Sequence, residues 1–318
     1  MESFTLTITP KGQYGFGLVL DYLRSSPSAI LERFTDNGFY RALDIGPTGV
    51  VVKIKRENLL LSCDPLEVTV WAEDLSFDII DQIKKHLCQM LTLDIDGSSF
   101  ENSLVHDPIL GTPINSFKGF RPVLLGSPWE AFLWAVVGQL IGAQQAKTIR
   151  HKLVNLRNWK LEVQGYSYNL VPSPDWISQQ QLTTLQSIGI TRAKATAISQ
   201  AAKAITNGTM PWTNQLIKPN EQTLDQLQQI PGVGPWTIAI VDLRGFGNLQ
   251  RMPFGDAALQ ILIGRHINPQ GERLSTKALT SYVSRWAPYG GWVTYLWWLQ
   301  AQTNLSERSL TEPKKKVL

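Results

Sequence analysis

The segment Ile230-Pro231-Gly232-Val233-Gly234-Pro235-Trp236-Thr237 (IPGVGPWT) decides how the rest of this chain is read. Before it, the apolar spacing of Leu224, Leu227 and Ile230 predicts a short helix, which Pro231 and Gly232 stop. A second helix is expected from Pro235, because proline suits the first helical turn. Two glycines in a hairpin between helices leave backbone N–H groups bare of side-chain cover and directed toward the next helix N-terminus. Such a nest holds a phosphate oxygen without any basic side chain. Further along, Asp256 in MPFGDAALQ (Met252–Gln260) places a fixed negative charge near whatever the hairpin docks. A backbone grip for phosphate beside a carboxylate suits chemistry on DNA.

Outward from the hairpin the pattern is helical on both sides. Ser127-Pro128-Trp129-Glu130 supplies a capping residue, a first-turn proline and a glutamate three positions on, the spacing of a capping box. The helix it opens presents Phe132, Leu133, Val136 and Val137 before Gly138 interrupts it. Gly142 closes the interruption, and Ala143 to Leu156 resumes the pattern. Helices are also expected over Thr191–Asn207, Pro235–Gly245, Ala257–His266, Thr276–Trp286 and Trp292–Gln302. The first third reads differently. Ser3–Thr9, Phe39–Ile45 and Val50–Arg56 alternate, Leu66–Ala72 is rich in β-branched residues, and Asp44 to Gly49 forms a turn. Asp78 to Leu91 is a helix behind Ser76 as cap. An antiparallel sheet with helices on one face fits, and after Leu93 strand signals largely vanish. The expected fold class is therefore α+β: a mixed sheet and helix domain over residues 1–95, then an all-α domain over 96–306 with its helix-hairpin-helix at 224–245. Residues 307–318 form a basic tail, read as a solvated frayed terminus in preference to a targeting signal.

Composition sets the outer limits. A chain of 318 residues with 43% apolar and 18% charged residues is globular and long enough for a large core. The net charge of +4 suits a polyanion partner without demanding one. Two cysteines, Cys63 and Cys88, cannot supply the four thiolates of an iron–sulfur cluster, nor do they form a disulfide framework. A reducing compartment follows as the expected home. His86, His106, His151 and His266 sit at no metal-ligand spacing. No apolar run approaches the ~18 residues of a membrane span, and no leader pattern opens the chain, so a soluble protein with no membrane partner is expected.

The hairpin and its later aspartate resemble the helix-hairpin-helix, Gly/Pro-rich, Asp superfamily of DNA glycosylases. SPWEAFLWAVVGQLIGAQQAK (Ser127–Lys147), LVPSPDWI (Leu170–Ile177), IGITRAKATAI (Ile188–Ile198), GTMPW (Gly208–Trp212) and SRWAPYGGWVTYLWW (Ser284–Trp298) occur in an order similar to that of the DNA-3-methyladenine glycosylase II family. Any one piece is unspecific; the ordered set is specific. The resemblance is strong from about Phe117 to Gln302 and continuous but weaker before it. It implies a TBP-like antiparallel-sheet N-terminal domain and base excision repair of alkylated purines by base flipping. The implied partner is double-stranded DNA containing damaged bases. No cofactor is required, and a monomer is expected. The enzyme would work at the nucleoid in a prokaryotic cytoplasm, or in a eukaryotic nucleus.

Each candidate residue also has a plain structural reading. Asp256 opens a helix and so reads as a cap. The resemblance makes it the catalytic carboxylate, stabilising an oxocarbenium-like sugar cation, and the two roles are compatible. Asp242, on the helix after the hairpin, is the decoy, facing solvent or a structural partner. Trp236 stands where backbone-cleaving relatives carry the lysine that forms a Schiff base. A tryptophan forms no imine, so a monofunctional enzyme is implied. Trp236 is then either a wall of the base pocket or core. Leu140, usually core, would be the wedge that fills the hole left by a flipped nucleotide, with Gln139 beside it. Trp298 and Tyr22 match pocket aromatics of the family, although Trp298 lies in a stripe that packing explains equally well. Ile240 and Ala257 depart from it, standing where tyrosines are frequent, which removes two rings on which a cationic purine could stack. Phosphates would be held by the backbone at Gly232, Val233 and Gly234, assisted by Lys147, Arg192 and Lys194. The carbonyls of Gln228, Ile230 and Val233 match those that hold a structural sodium or potassium ion in relatives. Three rivals remain: an oxidised-base glycosylase with lyase activity, a non-catalytic hairpin that clamps damaged DNA, and a degenerate relative that senses alkylation.

Overall fold

Residues 1–26, 29–45, 49–210, 212, 221–268 and 270–311 are described by a computed structural model. Part of the expected Asp44–Gly49 turn, Pro211 of the GTMPW motif and residues 312–318 of the basic tail lie outside them.

The N-terminal third is built on a sheet. Strands β1 (Glu2–Ile8), β2 (Arg33–Thr35), β3 (Gly38–Leu43), β4 (Val50–Lys55) and β5 (Leu66–Ala72) pair antiparallel in the order β1-β5-β4-β3-β2, with helix α1 (Phe16–Ser25) between the first two in sequence. Register follows the pleat. Phe39, Ile54, Val52, Val68 and Val70 face inward, where Phe16, Val19 and Leu20 of α1 and Ile83, Leu87 and Met90 of α2 (Phe77–Met90) cover them. The alternation legible in the sequence thus sets one face apolar, as a half-covered antiparallel sheet requires.

The other face is covered too, by an element the sequence did not announce. After α3 (Ser98–Leu104), α4 (Gly111–Ser116), α5 (Pro128–Gly138) and α6 (Ala143–Arg157), strands β6 (Lys160–Val163) and β7 (Tyr166–Asn169) form a hairpin within the helical part. Leu161, Val163 and Tyr168 of this hairpin pack on Tyr40, Ala42, Val51 and Trp71 of the sheet. The expectation that only helices follow Leu93 is therefore corrected. Each strand has four residues, too few for alternation to register. The turn signal was Gln164-Gly165, both with positive φ (52° and 79°), the geometry of a tight hairpin turn.

Beyond it come α7 (Pro174–Ser178), α8 (Leu182–Gln186), α9 (Arg192–Thr206), α10 (Glu221–Gln228), α11 (Pro235–Arg244), α12 (Ala257–Ile267), α13 (Thr276–Val283), a single 3-10 turn (Ser284–Trp286) and α14 (Gly290–Thr311). Helix α5 is apolar all round, with every residue from Pro128 to Val137 buried, so it serves as the central strut of its bundle. Around it Leu153 and Val154 of α6, Ala197, Ile198 and Ala201 of α9, and Val241 of α11 form one core. A second helical core unites Phe100, Leu104 and Ile114 with Leu259, Ile263, Leu279, Val293 and Trp297. The segment just after the sheet therefore packs against the chain's last helices.

Candidate active site and nucleic-acid interface

The hairpin is anchored from below and open above. Leu227, Ile230 and Val233 are buried in the α5–α9–α11 core. Val233 N–H donates to the Ile230 carbonyl at 3.0 Å, closing the turn. Gly232 has φ +88°, a left-handed conformation that a side chain would strain. A Cβ built there first meets Ala197 Cβ at 4.0 Å, and one at Gly234 meets nothing within 4 Å. Gly234 then opens α11, its carbonyl accepting from Ile238 N–H at 3.1 Å, with Pro235 in the first turn. An unshielded backbone at the N-terminus of a ten-residue helix has the geometry and field that favour an anion.

Asp256 stands at the N-terminus of α12 and is half-buried. Its Oδ1 accepts from Leu259 N–H at 3.0 Å, and its Oδ2 accepts from Trp236 Nε1 at 3.2 Å. The cap is thus real, and it leaves the second carboxylate oxygen held by the indole next to the hairpin. Gly255 makes room for that indole, since a Cβ there would lie 3.3 Å from Trp236 Cβ. Trp236, half-buried, is a hydrogen-bond partner of Asp256, a contact that neither a pocket wall nor core packing anticipates. Asp242 is accounted for separately. It is 1% exposed, and its Oδ2 accepts from Arg251 Nε at 2.6 Å and Asn248 Nδ2 at 3.0 Å, fastening the loop after α11.

Between α5 and α6 the chain does something unusual. Leu140 is fully exposed (104%) and has φ +55°. An exposed leucine in the left-handed region gains nothing from burial and is disfavoured by its own backbone. Beside it, Gln139 Nε2 donates to the Gly232 carbonyl at 2.9 Å and to Thr237 Oγ1 at 2.8 Å. The turn bearing Leu140 and the glycine hairpin are therefore linked through the Gln139 side chain. Of the three basic residues expected to assist, Arg192 is exposed and Lys147 half-buried. Lys194 is directed elsewhere: its Nζ donates to the carbonyls of Val137 (2.9 Å) and Gln139 (2.7 Å).

Tyr22 and Trp298 pack around Tyr295. Tyr22 is 2% exposed and packs against Phe120 and Tyr295, both at 5.6 Å between ring centres, and burial pushes its phenol pKa up. Trp298, half-buried, meets Tyr295 edge-on at 5.3 Å and lies under the Arg244 guanidinium at 5.6 Å. In this arrangement Tyr22 reaches no open surface, and the two rings share Tyr295 rather than Trp236. Ile240 is buried and Ala257 exposed.

Sequence reasoning missed a buried charge cluster behind the site. Ser127 Oγ accepts from Glu130 N–H at 3.0 Å, as a capping box requires. The Glu130 carboxylate, however, does not complete the box. Its Oε2 accepts from Gly126 N–H at 3.0 Å and pairs with Arg41 of β3, which also pairs with Glu32. Burial pushes the Glu32 carboxyl up against the pull of Arg41. Nearby, burial and then the Arg41 charge push His86 down to about 4, so this imidazole is neutral in the fold. The capping glutamate had a sequence signal; its arginine partner, far away in sequence, had none.

No family model matches the chain. A DNA-3-methyladenine glycosylase of Bacillus subtilis (strain 168) is 27% identical over 286 residues, covering 87% of this chain and 91% of the relative. DNA-3-methyladenine glycosylase 2 of Escherichia coli (strain K12) is 24% identical over 247 residues, 76% of this chain and 80% of that protein. Among solved structures, 3-methyladenine DNA-glycosylase from Archaeoglobus fulgidus superposes with a TM-score of 0.79 at 18% identity, covering 94% of this chain and 99% of that one. A Clostridium acetobutylicum 8-oxoguanine glycosylase/lyase in complex with double-stranded DNA gives 0.71 at 15% identity, over 94% and 98% of the two chains. The fold and its hairpin are those of the helix-hairpin-helix DNA glycosylases. In sequence the chain is similar to proteins named DNA-3-methyladenine glycosylase over most of its length.

Proposed function

We propose that this protein is a monofunctional DNA glycosylase that hydrolyses the N-glycosidic bond of alkylated purines in duplex DNA. One observation carries the reading. A charged helix cap, Asp256, has one oxygen held by Trp236 directly beside a side-chain-free hairpin. The backbone at Gly232, Val233 and Gly234 grips phosphate, and the exposed Leu140 enters the duplex where the damaged nucleotide leaves. The C1′–N bond then breaks with its electron pair departing on the purine, for which alkylation makes a good leaving group. Asp256 stabilises the sugar cation as it develops, and water adds to C1′ while its proton passes to solvent or to the departing base. The product is an abasic site in an intact strand.

Trp236 supports hydrolysis over lyase chemistry, since an indole offers no amine for an imine, and the neighbouring Lys194 ammonium is occupied by two carbonyls. In this reading residues 1–95 are scaffold and 96–306 carry the chemistry. Tyr22, buried against Tyr295, reaches the base only if its neighbours shift, so stacking in this reading draws on the half-buried rings of Trp236 and Trp298. The Gln228, Ile230 and Val233 carbonyls suit a hard monovalent cation such as sodium or potassium, and the Ile230 oxygen keeps one lone pair after accepting from Val233. Such an ion would stiffen the hairpin and take no part in bond breaking. Among the described residues no helix is long and apolar enough to cross a membrane. A monomer acting on DNA in the cytoplasm or nucleus fits the charge and the site. The test is chromatographic resolution of bases released from methylated duplex DNA, with 3-methyladenine expected and the Asp256→Asn variant silent. Release of oxidised bases alone, or DNA binding without release, would favour the rival readings.

A further inference from the structure

The turn that presents Leu140 is held in a disfavoured backbone state with no burial to compensate, so some other interaction must fix it. Leu140 has φ +55° and its side chain is wholly exposed. Leucine enters this region rarely, and a free turn would relax out of it. Two contacts restrain the turn, one on each side. Lys194 Nζ donates to the carbonyls of Val137 (2.9 Å) and Gln139 (2.7 Å), the last acceptors of α5 before the turn. A cation at that end of a helix also satisfies the helix field. Gln139 Nε2 donates to the Gly232 carbonyl (2.9 Å) and Thr237 Oγ1 (2.8 Å), tying the turn to the hairpin. The Lys194 backbone is held at the start of α9, where its N–H donates to the Thr191 hydroxyl at 3.5 Å. Its ammonium is partly desolvated, which pushes its pKa down. With two of its three N–H donors committed to carbonyls, Lys194 is poorly placed as a phosphate cation.

We infer that Lys194 is a positioning residue: it clamps the Leu140 turn in its outward, left-handed conformation and, through Gln139, sets the spacing between that wedge and the phosphate grip at Gly232. The inference rests on the reading of this surface as a base-flipping site. Its consequence is that wedge insertion needs no ordering step when the duplex opens, because the turn is already built. Removing the clamp would leave the hairpin grip intact and impair only the complex in which Leu140 is inserted.

The test uses the full chain as wild type, Lys194→Met, Lys194→Gln and Lys194→Arg. Amide hydrogen exchange of the segment from Val137 to Gln139, where the Gln139 N–H donates to the Val136 carbonyl at 3.3 Å at the end of α5, is measured in the free protein. Affinity is measured for a duplex carrying a stable tetrahydrofuran abasic analogue and for the undamaged duplex. Lys194→Met is expected to speed exchange in that segment and to lower the preference for the abasic duplex by about tenfold, the worth of a charge-assisted hydrogen bond. Affinity for undamaged DNA should stay within about twofold, and Lys194→Arg should restore much of the preference because it keeps donors and charge. Unchanged exchange would overturn the clamp. An equal loss for both duplexes with a shallower salt dependence would overturn it in favour of a phosphate contact. If Lys194→Met does not fold, Lys194→Gln decides, with faster exchange and a lower abasic preference expected and unchanged values of both refuting the clamp. Base release by the wild type is followed in parallel. Its absence would sink the glycosylase reading, while exchange and abasic preference would still judge the clamp.

Discussion

Replacing Asp256 by asparagine separates its observed task as a helix cap from the catalytic task proposed for it. Both carboxylate oxygens accept hydrogen bonds, Oδ1 from Leu259 N–H and Oδ2 from Trp236 Nε1. Asparagine has one carbonyl oxygen, so it can keep one of these bonds and must leave the other donor facing an NH2 group. Asparagine is as good an N-cap as aspartate, and the fold will favour keeping the Leu259 bond. The lost Trp236 contact is half-exposed and worth about 1 kcal/mol, a fall of roughly 2–4 °C in Tm. The chemical cost is far larger. An electrostatic group aimed at developing charge contributes on the order of a hundredfold to a thousandfold, about 3–4 kcal/mol. Single-turnover base release from methylated duplex should therefore fall at least a hundredfold while Tm shifts by a few degrees. Affinity for undamaged duplex, measured by fluorescence anisotropy, should hold, because the hairpin backbone is untouched. Base release within about tenfold of wild type would refute the assignment. So would a loss of DNA affinity matching the loss of rate, which would make Asp256 a binding or folding residue.

Three further outcomes are expected. Leu140→Gly should raise thermal stability, by about 1 kcal/mol through relief of the left-handed strain, while lowering preference for an abasic duplex; a fall in Tm would show the leucine to be packed rather than presented. Alkylated duplex treated with the protein should stay intact until alkali or heat is applied, and a borohydride-trapped adduct would contradict the hydrolytic assignment drawn from Trp236. His86 is held at about 4 in the fold and near 6.5 when unfolded, so the unfolded chain binds the extra proton between these values. Its contribution to stability is complete above pH 6.5 and is lost as pH falls toward 4, on the order of 3 kcal/mol for a group this buried. The difference in denaturant stability between wild type and His86→Asn should therefore narrow or reverse across that window, and a pH-independent difference would reject the buried neutral imidazole.

What was legible in the sequence was whatever is encoded locally. The hairpin, the Pro235 start of α11, the Asp256 cap and the Ser127 cap each depend on residues within a turn of one another, and each stands where the spacing put it. Among the first-third strands β1, β3 and β4 were legible from alternating sequence and β5 from its β-branched residues, whereas the three-residue β2 is too short to show a pattern. The hairpin of β6 and β7 was not, because its strands are too short to alternate visibly and it is stabilised by Tyr40 and Trp71 from another part of the chain. The same holds within the site. Gln139 was legible as a neighbour of Leu140, but its bonds to Gly232 and Thr237 join positions that no local pattern relates. Lys194 was read as a phosphate cation because its charge is visible in sequence, whereas its burial and the carbonyls it meets are not.

These long-range bonds explain how a mostly apolar bundle supports a polar site. Helix α5 is buried on every side, so it cannot move without disturbing the core around it. Its N-terminus is fixed to the sheet by the Glu130–Arg41 pair, and its C-terminus is fixed to α9 by Lys194 and to the hairpin by Gln139. Breaking the buried pair would leave a charge unpaired in the interior, which costs about 3–5 kcal/mol, so the sheet domain holds the strut firmly although it supplies none of the residues proposed for phosphate, cation or wedge. The proposed phosphate grip, carboxylate and wedge come from three separate loops, at Gly232, Asp256 and Leu140. Their relative placement is set by what α5 and α11 bury between them, and Trp236, leading out of the hairpin into Asp256, closes the arrangement. Electrostatic catalysis requires groups held in place before charge develops, and here that preorganisation comes from the packed helices behind the loops rather than from the loops themselves.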